Sequence, residues 1–397
     1  MLLYSCIAYY LKGKNMNYTF SDLQKYLDTV LVREKVPGFV CKVLHKGNLV
    51  FDYAGGYSDE NKQKPMTGRE HFFIYSASKP ITCAAAMHAY EEGKFLMGHP
   101  LWWYLNEFGE CKVKTKQPDG SITLEPLNEP IRVQDLFTMS AGLNYNFDTP
   151  AIKEALAKNP KAPTREIMRA IAKGNLDFQP GTRWQYSLCH DVLAGLVEVA
   201  TGERFADYVK RVIFDPLGMN DTYLHPTPEI IENMAAQYKF NYSIGEPELV
   251  EKKNGYILGE EYDSGGAGII TTAGDYAKFI AAMANYGVGQ NGARILSKAG
   301  VNLMRTNVFD GQRLKDFQGW MNNFEYGYGF GVRTKIGVGR GGNFSSIGEF
   351  GWDGAAGFLS SMDPEKNVAI LYAQHVLNPQ HEVIHNKIKN FVNMVIE

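Results

Sequence analysis

The spacing of apolar residues near the N-terminus predicts a helix followed by a β-hairpin. Apolar positions recur at a helical period over residues 19–34, so we predict a helix there with Ser21 as its cap. Two apolar runs follow at residues 39–45 and 49–57, and the intervening Lys46-Gly47-Asn48 is typical of a hairpin turn.

A second helix is predicted to begin close to Ser76. Pro80 has no N–H group, so it is comfortable only in a first helical turn. Residues 81–90 are rich in alanine and favour continuation of the helix. Gly93 is the expected end, because glycine commonly follows the last helical residue.

The pattern changes between residues 98 and 227, where loops rich in Pro, Asn and Gly alternate with short helical runs. This indicates an all-helical subdomain inserted into an α/β chain. Its predicted helices cover residues 132–138, 151–158, 164–173, 192–201 and 205–214. The α/β domain would then consist of residues 19–97 and 228–397, with residues 1–18 as an N-terminal extension and Met16 as an alternative start.

The C-terminal part again mixes helices and strands. Residues 265–268 open onto a predicted helix over residues 272–286, with Thr271 or Thr272 as its cap. The other predicted elements are strands at residues 326–333, 357–362 and 368–374 and a helix at residues 382–395. Because strands lie at both ends of the sequence, we expect the C-terminal strands to complete one sheet against the N-terminal hairpin.

Composition narrows the possible partners. The chain has 397 residues, 45% of them hydrophobic and 21% charged, with a mean hydropathy of −0.27, as in water-soluble globular proteins of two subdomains. The net charge of −2 and the lack of a basic stripe argue against nucleic acid as a partner. The sequence does not indicate an oligomeric state.

Cysteine usage and the N-terminal residues bear on the cellular compartment. The first eleven residues are apolar but lack a basic start and a cleavage site, and they are too short to span a bilayer. We therefore expect no signal peptide, no membrane span and a cytoplasmic location. Five cysteines without a Cys-x-x-Cys pair argue against disulfides or zinc: Cys6, Cys41, Cys83, Cys111 and Cys189.

No cofactor or metal is expected. His381 and His385 are spaced i, i+4 on the last predicted helix, but no third ligand accompanies them. Glycine-rich runs at residues 287–292 and 337–342 contain Gly-x-Gly-x-x-Gly, yet neither follows a strand and opens a helix. A Gly-x-Ser-x-Gly nucleophile elbow is also missing from the sequence.

The strongest chemical signal is Ser76-x-x-Lys79. Residues at i and i+3 share a helix face, so the hydroxyl and the amine would lie side by side near the positive end of a helix. A hydroxyl becomes a useful nucleophile when a neighbouring group takes its proton. The alternative interpretation is that Ser76 is an ordinary helix cap.

Two further segments offer partners for Ser76. Tyr186 lies on a predicted loop after a Pro-Gly turn. A phenol beside an ammonium can act as a general base. The alternative interpretation is that Tyr186 has only a structural role, with its ring packed in the core. An oxyanion hole needs two backbone N–H groups. The N–H of Ser76 is one candidate, and the glycine-rich stretch at residues 351–357 offers a second, with a simple glycine bulge as the alternative.

The order and spacing of these motifs resemble the serine β-lactamase-like superfamily, which includes class C β-lactamases and D-Ala-D-Ala carboxypeptidases. Ser76-x-x-Lys79, then Tyr186-Ser187-Leu188, then Trp352-Asp353-Gly354 correspond to its three motifs. The resemblance extends from about Leu23 to the C-terminal part. It implies the β-lactamase/transpeptidase-like α/β fold, with a mostly antiparallel sheet flanked by helices, a helical subdomain and a cleft between them.

Departures from the β-lactamase pattern make family VIII carboxylesterases the most similar subgroup. Leu188 stands where β-lactamases have an asparagine that binds the substrate amide, and Trp352-Asp353-Gly354 replaces Lys-Thr-Gly. Loss of a cation and gain of an anion disfavour anionic β-lactams and peptide C-termini. The resemblance assigns substrate binding to Leu188, Trp352, Asp353 and Gly354.

The expected reaction is therefore hydrolysis of small carboxylic esters. Ser76 would attack the carbonyl, Tyr186 tuned by Lys79 would move the proton, and Trp352 would form an apolar wall. By the resemblance, the N–H of Ala355 would join that of Ser76 in the oxyanion hole. The alternatives are β-lactamase or D-Ala-D-Ala carboxypeptidase activity on an amide, acyl transfer by the same fold, and a non-catalytic penicillin-recognising protein.

Overall fold

The chain is built around one large antiparallel sheet. The computed structural model describes residues 7–8, 18–322, 324–338, 342–378 and 381–396. In them the sheet has nine strands in the order β1-β3-β2-β15-β14-β12-β11-β10, with β13 paired to β14. Its strands are β1 (Ile7–Ala8), β2 (Gly38–His45), β3 (Asn48–Gly56), β10 (Tyr326–Tyr328), β11 (Arg333–Lys335), β12 (Phe350–Gly351), β13 (Asp353–Gly354), β14 (Phe358–Asp363) and β15 (Val368–Gln374).

Smaller sheets lie beside it. They are formed by β4 (His71–Phe73) with β9 (Ile270–Thr272), by β5 (Val113–Lys116) with β6 (Ile122–Glu125), and by β7 (Gln237–Asn241) with β8 (Glu246–Val250) and β16 (Val376–Leu377).

Helices surround the sheets, and a π-helical turn at Lys210–Phe214 joins α7 to α8. The helices are α1 (Ser21–Arg33), α2 (Ser78–Glu91), α3 (Val133–Phe137), α4 (Pro150–Lys158), α5 (Thr164–Ala172), α6 (Cys189–Thr201), α7 (Phe205–Val209), α8 (Asp215–Leu217), α9 (Pro228–Asn233), α10 (Ala273–Ala284), α11 (Lys298–Met304), α12 (Gly311–Met321) and α13 (His381–Asn393).

The predicted closure of the sheet is confirmed. Strand β15 has the predicted bounds, and it pairs with β2 from Val368↔His45 to Gln374↔Phe39. Alternate side chains of β2 enter different cores, as the period of a strand requires. Phe39, Cys41 and Val43 pack with α1 and α13, whereas Val40 and Leu44 join the larger core that contains α2, α6 and α10.

Several local predictions need correction. Ser21 is the first residue of α1, and Phe20 occupies the cap position without a side-chain hydrogen bond. The run at residues 326–333 is not one strand, because a turn with Gly331 at φ 86° separates β10 from β11. Thr272 does cap α10, since its side chain accepts a hydrogen bond from the Asp275 N–H.

The inserted segment is also more than helices. The β5–β6 hairpin lies within residues 98–227, so this part of the chain is not all-helical. Helices α11 and α12 and the β7–β8 hairpin are further elements that the sequence patterns do not predict. Most of the predicted extension, including Met16, lies outside the described residues, although Ile7 and Ala8 pair with β3. The helices that the structure describes include none long and apolar enough to cross a membrane.

A buried histidine fixes the strand that leads to Ser76. The Phe73 N–H at the end of β4 donates to His375 Nε2 over 3.3 Å, and His375 Nδ1 lies 2.9 Å from the Ala235 carbonyl oxygen. Because Nε2 accepts a hydrogen bond from the Phe73 N–H and the Ala235 carbonyl can only accept one, the neutral Nδ1–H tautomer satisfies both contacts. Burial lowers the pKa of His375 to about 4.

Acid should therefore weaken the fold through His375. Its pKa is about 4 in the folded chain and about 6.5 when unfolded, so its contribution is complete above pH 6.5 and is lost as the pH falls toward 4. The full loss is about 3 kcal/mol. The free energy of unfolding, measured with urea at a series of pH values, should fall less steeply between pH 6.5 and 4.5 in His375→Gln than in the parent protein. His99→Gln controls for loss of a histidine outside this contact, and an unchanged slope in His375→Gln would contradict the prediction.

Candidate active site

Ser76 lies on a tight turn between β4 and α2. Tyr75–Ala77 form a 3₁₀ turn, and α2 begins at Ser78. Tyr75 has φ 48°, a left-handed conformation that is rare for an aromatic residue. Its buried side chain is held in place because its hydroxyl donates to Gln237 Oε1 over 2.9 Å. The fold therefore imposes a strained backbone immediately before Ser76.

Lys79 is fully buried beside Ser76. Its ammonium lies 3.3 Å from Ser76 Oγ and donates to the Gly266 carbonyl over 2.6 Å. The same nitrogen is 4.7 Å from the centre of the Tyr186 ring and 5.5 Å from that of Tyr145. The hydroxyl and the amine therefore lie side by side as predicted, although Ser76 precedes α2 instead of lying on it, and aromatic rings lie near the charge.

Tyr186 completes the predicted trio. Its phenol donates a hydrogen bond to Ser76 Oγ over 2.6 Å, although the two residues are 110 positions apart. Ser76 is not a helix cap, because Ala77 occupies that position and no side chain bonds the first turn of α2. If the phenol loses its own proton, the resulting phenolate oxygen can take the proton of Ser76, and Oγ can then attack an electrophile.

Asp191 supports this arrangement, and the sequence motifs do not point to it. It is buried on α6, and its Oδ1 accepts hydrogen bonds from Tyr262 Oη at 2.6 Å, Ser264 Oγ at 2.8 Å and the Gly266 N–H at 3.2 Å. The Gly266 peptide is thereby held with its carbonyl oxygen on Lys79. A Cβ at Gly266 would lie 2.4 Å from Asp191 Oδ2, so this position requires glycine.

The third motif runs alongside the turn that carries Ser76. A Cβ on Gly354 would lie 2.3 Å from the Ile74 carbonyl oxygen, so the two segments are in direct contact. Ala355 follows and packs in the same small apolar cluster as Phe73 and Tyr75. The residue predicted to supply the second oxyanion N–H therefore lies in the turn between β13 and β14, next to the segment that leads to Ser76.

The carboxylate of Asp353 is bonded to other side chains of the protein. Arg333 Nη1 donates to it over 2.9 Å, and His385 Nδ1 lies 3.4 Å away. Burial alone would raise its pKa, but the Arg333 guanidinium and His385 outweigh this and hold the pKa of Asp353 well below its usual value. Arg333 neutralises the anion that this position gains, so the sequence-based argument against anionic substrates now depends on the lost cation. Contact between Asp353 and substrate stays a prediction.

The other predicted substrate contacts are largely enclosed. Leu188 is 2% exposed, and its N–H donates to the Asn144 carbonyl over 3.1 Å at the start of α6. Trp352 is 3% exposed, and its ring is parallel to that of Tyr186 with centroids 5.9 Å apart. Trp320, which the sequence motifs miss, is 52% exposed and stacks on Tyr186 at 4.8 Å.

Other candidate sites from the sequence gain no support. Within the described ranges, no three His, Cys, Asp or Glu side chains are grouped as a metal site requires. His385 bonds Asp353 and the Gly357 carbonyl, and the side chain of His381 lies outside the described residues. The first Gly-x-Gly-x-x-Gly run, residues 287–292, follows α10 in a turn that is closed by a hydrogen bond from the Ile295 N–H to the Gly287 carbonyl oxygen. The second run, residues 337–342, lies partly outside the described ranges. Four cysteines are buried and free: Cys41, Cys83, Cys111 and Cys189.

Similar proteins are found by both sequence and structure. Protein Rv1367c of Mycobacterium tuberculosis is 29% identical over 339 residues, covering 80% of each chain. Esterase EstB of Burkholderia gladioli is 28% identical over 288 residues, covering 66% of this chain and 69% of EstB. The solved structure of EstCE1, a hydrolase with promiscuous acyltransferase activity, superposes with a TM-score of 0.76 at 22% identity, covering 94% of this chain and 97% of EstCE1.

The family model matches nearly the whole chain. The model described as Beta-lactamase aligns with residues 21–390, which include Ser76, Tyr186 and the third motif. The EstCE1 superposition shows the same fold independently of the sequence match. The chain therefore belongs to the beta-lactamase family and is a serine hydrolase of that fold.

Proposed function

We propose that this protein hydrolyses small, uncharged carboxylic esters through an acyl-enzyme on Ser76. The observation that carries the proposal is the contact of Ser76 Oγ with two proton-handling groups, Tyr186 Oη at 2.6 Å and Lys79 Nζ at 3.3 Å. The similarity to EstB and the fold shared with EstCE1, whose names describe an esterase and a hydrolase, support this reaction class.

Acylation needs a proton to leave Ser76 as the bond to the substrate forms. In the reactive form Tyr186 has released its phenol proton to solvent, and the phenolate takes the proton of Ser76 while Oγ attacks the ester carbonyl carbon. The buried ammonium of Lys79, 4.7 Å from the phenol ring, stabilises negative charge on that ring. The backbone N–H groups of Ser76 and Ala355 stabilise the oxyanion of the tetrahedral intermediate.

The intermediate collapses when the carbon–oxygen bond to the alcohol breaks. Tyr186 returns its proton to the departing alkoxide, which leaves Ser76 acylated and the phenol ionised again. A water molecule then gives a proton to Tyr186 and attacks the acyl carbonyl. Cleavage of the acyl bond, with return of that proton to Ser76 Oγ, releases the carboxylic acid.

The surroundings of Ser76 favour uncharged substrates. Four aromatic side chains that are not fully buried lie around Tyr186. Tyr145 and Trp320 contact its ring directly, and Phe147 and Tyr256 contact Tyr145. The cation that β-lactamases carry in the third motif is replaced by Trp352, and the nearby Arg333 is already paired with Asp353. Lys79 and Arg333 are both already bonded to protein groups, so neither offers a substrate carboxylate a free partner in return for the hydration it would lose.

Acyl transfer to an alcohol is a second candidate reaction. The description of EstCE1 as having promiscuous acyltransferase activity favours it. An aromatic surround lowers the amount of water near the acyl-enzyme, so an alcohol of matching shape would compete with water for the acyl group. Chromatography of reactions with added butanol would distinguish the transfer product from the free acid.

The proposed roles of Ser76 and Tyr186 predict different losses of esterase activity when each residue is replaced. Ser76→Ala should lose p-nitrophenyl butyrate turnover and covalent labelling by a fluorophosphonate probe, because no other group replaces Oγ. Tyr186→Phe should lower kcat by about 10²- to 10⁴-fold, the usual contribution of a general base. Ser121→Ala and Tyr242→Phe remove exposed hydroxyls elsewhere and should retain turnover. Undiminished turnover by Ser76→Ala would refute the assignment.

Substrate charge gives a second test. We expect p-nitrophenyl butyrate to be hydrolysed with a kcat/KM about 100-fold above that of the p-nitrophenyl half-ester of succinic acid, because the latter brings an unmatched carboxylate into the site. Nitrocefin, an anionic β-lactam, should be poorer still. The measurement is the spectrophotometric rate of hydrolysis of p-nitrophenyl acetate, butyrate and longer acyl esters, compared with the rates for the succinate half-ester and nitrocefin. Equal or better turnover of nitrocefin would favour the β-lactamase alternative.

A further inference from the structure

Helix α12, which the sequence patterns do not predict, packs on the loop that carries Tyr186. Trp184 is buried against this helix, with its ring 5.2 Å from that of Phe317 and 5.3 Å from that of Trp320. Phe317 is fully buried, whereas Trp320 lies one turn later and is half exposed. The helix therefore presents one enclosed and one open aromatic side chain to the loop.

Asp316 attaches the same helix to the loop by hydrogen bonds. Its Oδ2 accepts from Arg183 Nε at 2.6 Å and from the Trp184 N–H at 3.2 Å. Its Oδ1 accepts from Arg183 Nη2 at 2.8 Å and from Gln312 Nε2 at 2.8 Å. Four donors thus satisfy a carboxylate whose side chain is only 10% exposed. A bidentate guanidinium pair of this kind fixes orientation as well as distance.

Trp320 contacts the Tyr186 ring itself. The two rings are 4.8 Å apart and inclined by 13°, and Trp352 lies parallel to both at 5.9 Å. Parallel offset rings restrict tilting of the phenol, whose oxygen must stay within hydrogen-bond reach of Ser76 Oγ. Trp320 itself has no contact with Ser76 or Lys79 among the hydrogen bonds and ring contacts of the described residues.

We infer that α12 positions Tyr186 for catalysis through two positioning residues, Asp316 and Trp320. Asp316 fixes the backbone two residues before the base, and Trp320 fixes the plane of its ring. The inference rests on the proposed role of Tyr186 as the general base. A displacement of about 1 Å in a reacting group costs up to about 100-fold in rate, so loss of either contact should slow proton removal from Ser76.

The test uses two matched pairs of variants in the full chain. Asp316→Asn removes the charge that binds Arg183, and Asp310→Asn makes the same change in an exposed residue at the start of α12. Trp320→Leu keeps apolar volume without a ring, and Trp320→Phe restores a ring. Stopped-flow labelling by a fluorophosphonate, measured across pH, reports activation of Ser76 directly, and p-nitrophenyl butyrate kinetics give kcat and KM.

Asp316→Asn and Trp320→Leu should each lower the labelling rate and kcat by about 10-fold or more, while KM changes by less than about twofold. In both variants, the rise of the labelling rate with pH should move to higher pH. Asp310→Asn and Trp320→Phe should stay within about twofold of the parent. If Asp316→Asn fails to fold, Arg183→Lys tests the same contact, because lysine cannot make the bidentate pair.

Two outcomes separate the inference from the proposed function. If Tyr186→Phe is inactive but Asp316→Asn and Trp320→Leu label at the parent rate and pH, α12 does not position the base. If Tyr186→Phe itself labels at the parent rate, the proposed function fails first. Equal losses in Trp320→Leu and Trp320→Phe would also overturn the stacking role.

Discussion

The ammonium of Lys79 has to be accommodated without water, and this requirement links the elements around Ser76. A fully buried cation is costly unless its donors are satisfied. Here the donors reach Ser76 Oγ and the Gly266 carbonyl, and the rings of Tyr145 and Tyr186 lie near the charge. Helix α2, the Tyr186 loop and the glycine segment before β9 must therefore meet at one point. Asp191 makes that meeting possible, since it fixes the peptide whose oxygen accepts from Lys79.

A second buried charge cluster stabilises the edge where the third motif lies. Arg333 and Glu349 are enclosed in the core, with Lys389 of α13 3.8 Å from Glu349. Burial would raise the pKa of Glu349, but Lys389 and Arg333 reverse the shift and lower it. Arg333 also binds Asp353, so the charge of the third motif belongs to this cluster. Loss of one partner would leave a buried charge uncompensated, which costs far more than an exposed ion pair.

The sequence predicted those features that depend on local pattern. Strand β15 is apolar throughout and was predicted to the residue, and Ser76 and Lys79 follow from helical spacing. Contacts between distant segments were not predictable. Helix α12 has glycines at Gly311 and Gly319 and buries only Phe317, so its apolar pattern is weak. Likewise, nothing near Asp353 in the sequence indicates its pairing with Arg333. The predicted domain boundaries, the absence of a cofactor and a cytoplasmic location stay predictions.

The buried and the more exposed aromatic rings around Tyr186 come from different parts of the chain. Trp352 and Leu188, which belong to the family motifs, are almost completely buried, and the Trp352 ring is stacked on that of Tyr186. The open rings come from outside the motifs: Tyr145 and Phe147 after α3, Tyr256 after β8, and Trp320 on α12. Of these rings, Tyr145 also lies near Lys79 and Trp320 stacks on Tyr186, whereas Phe147 and Tyr256 contact Tyr145. The motifs therefore supply the buried residues around the Ser76–Tyr186 pair, while the more exposed rings come from connecting segments, where binding residues tend to concentrate.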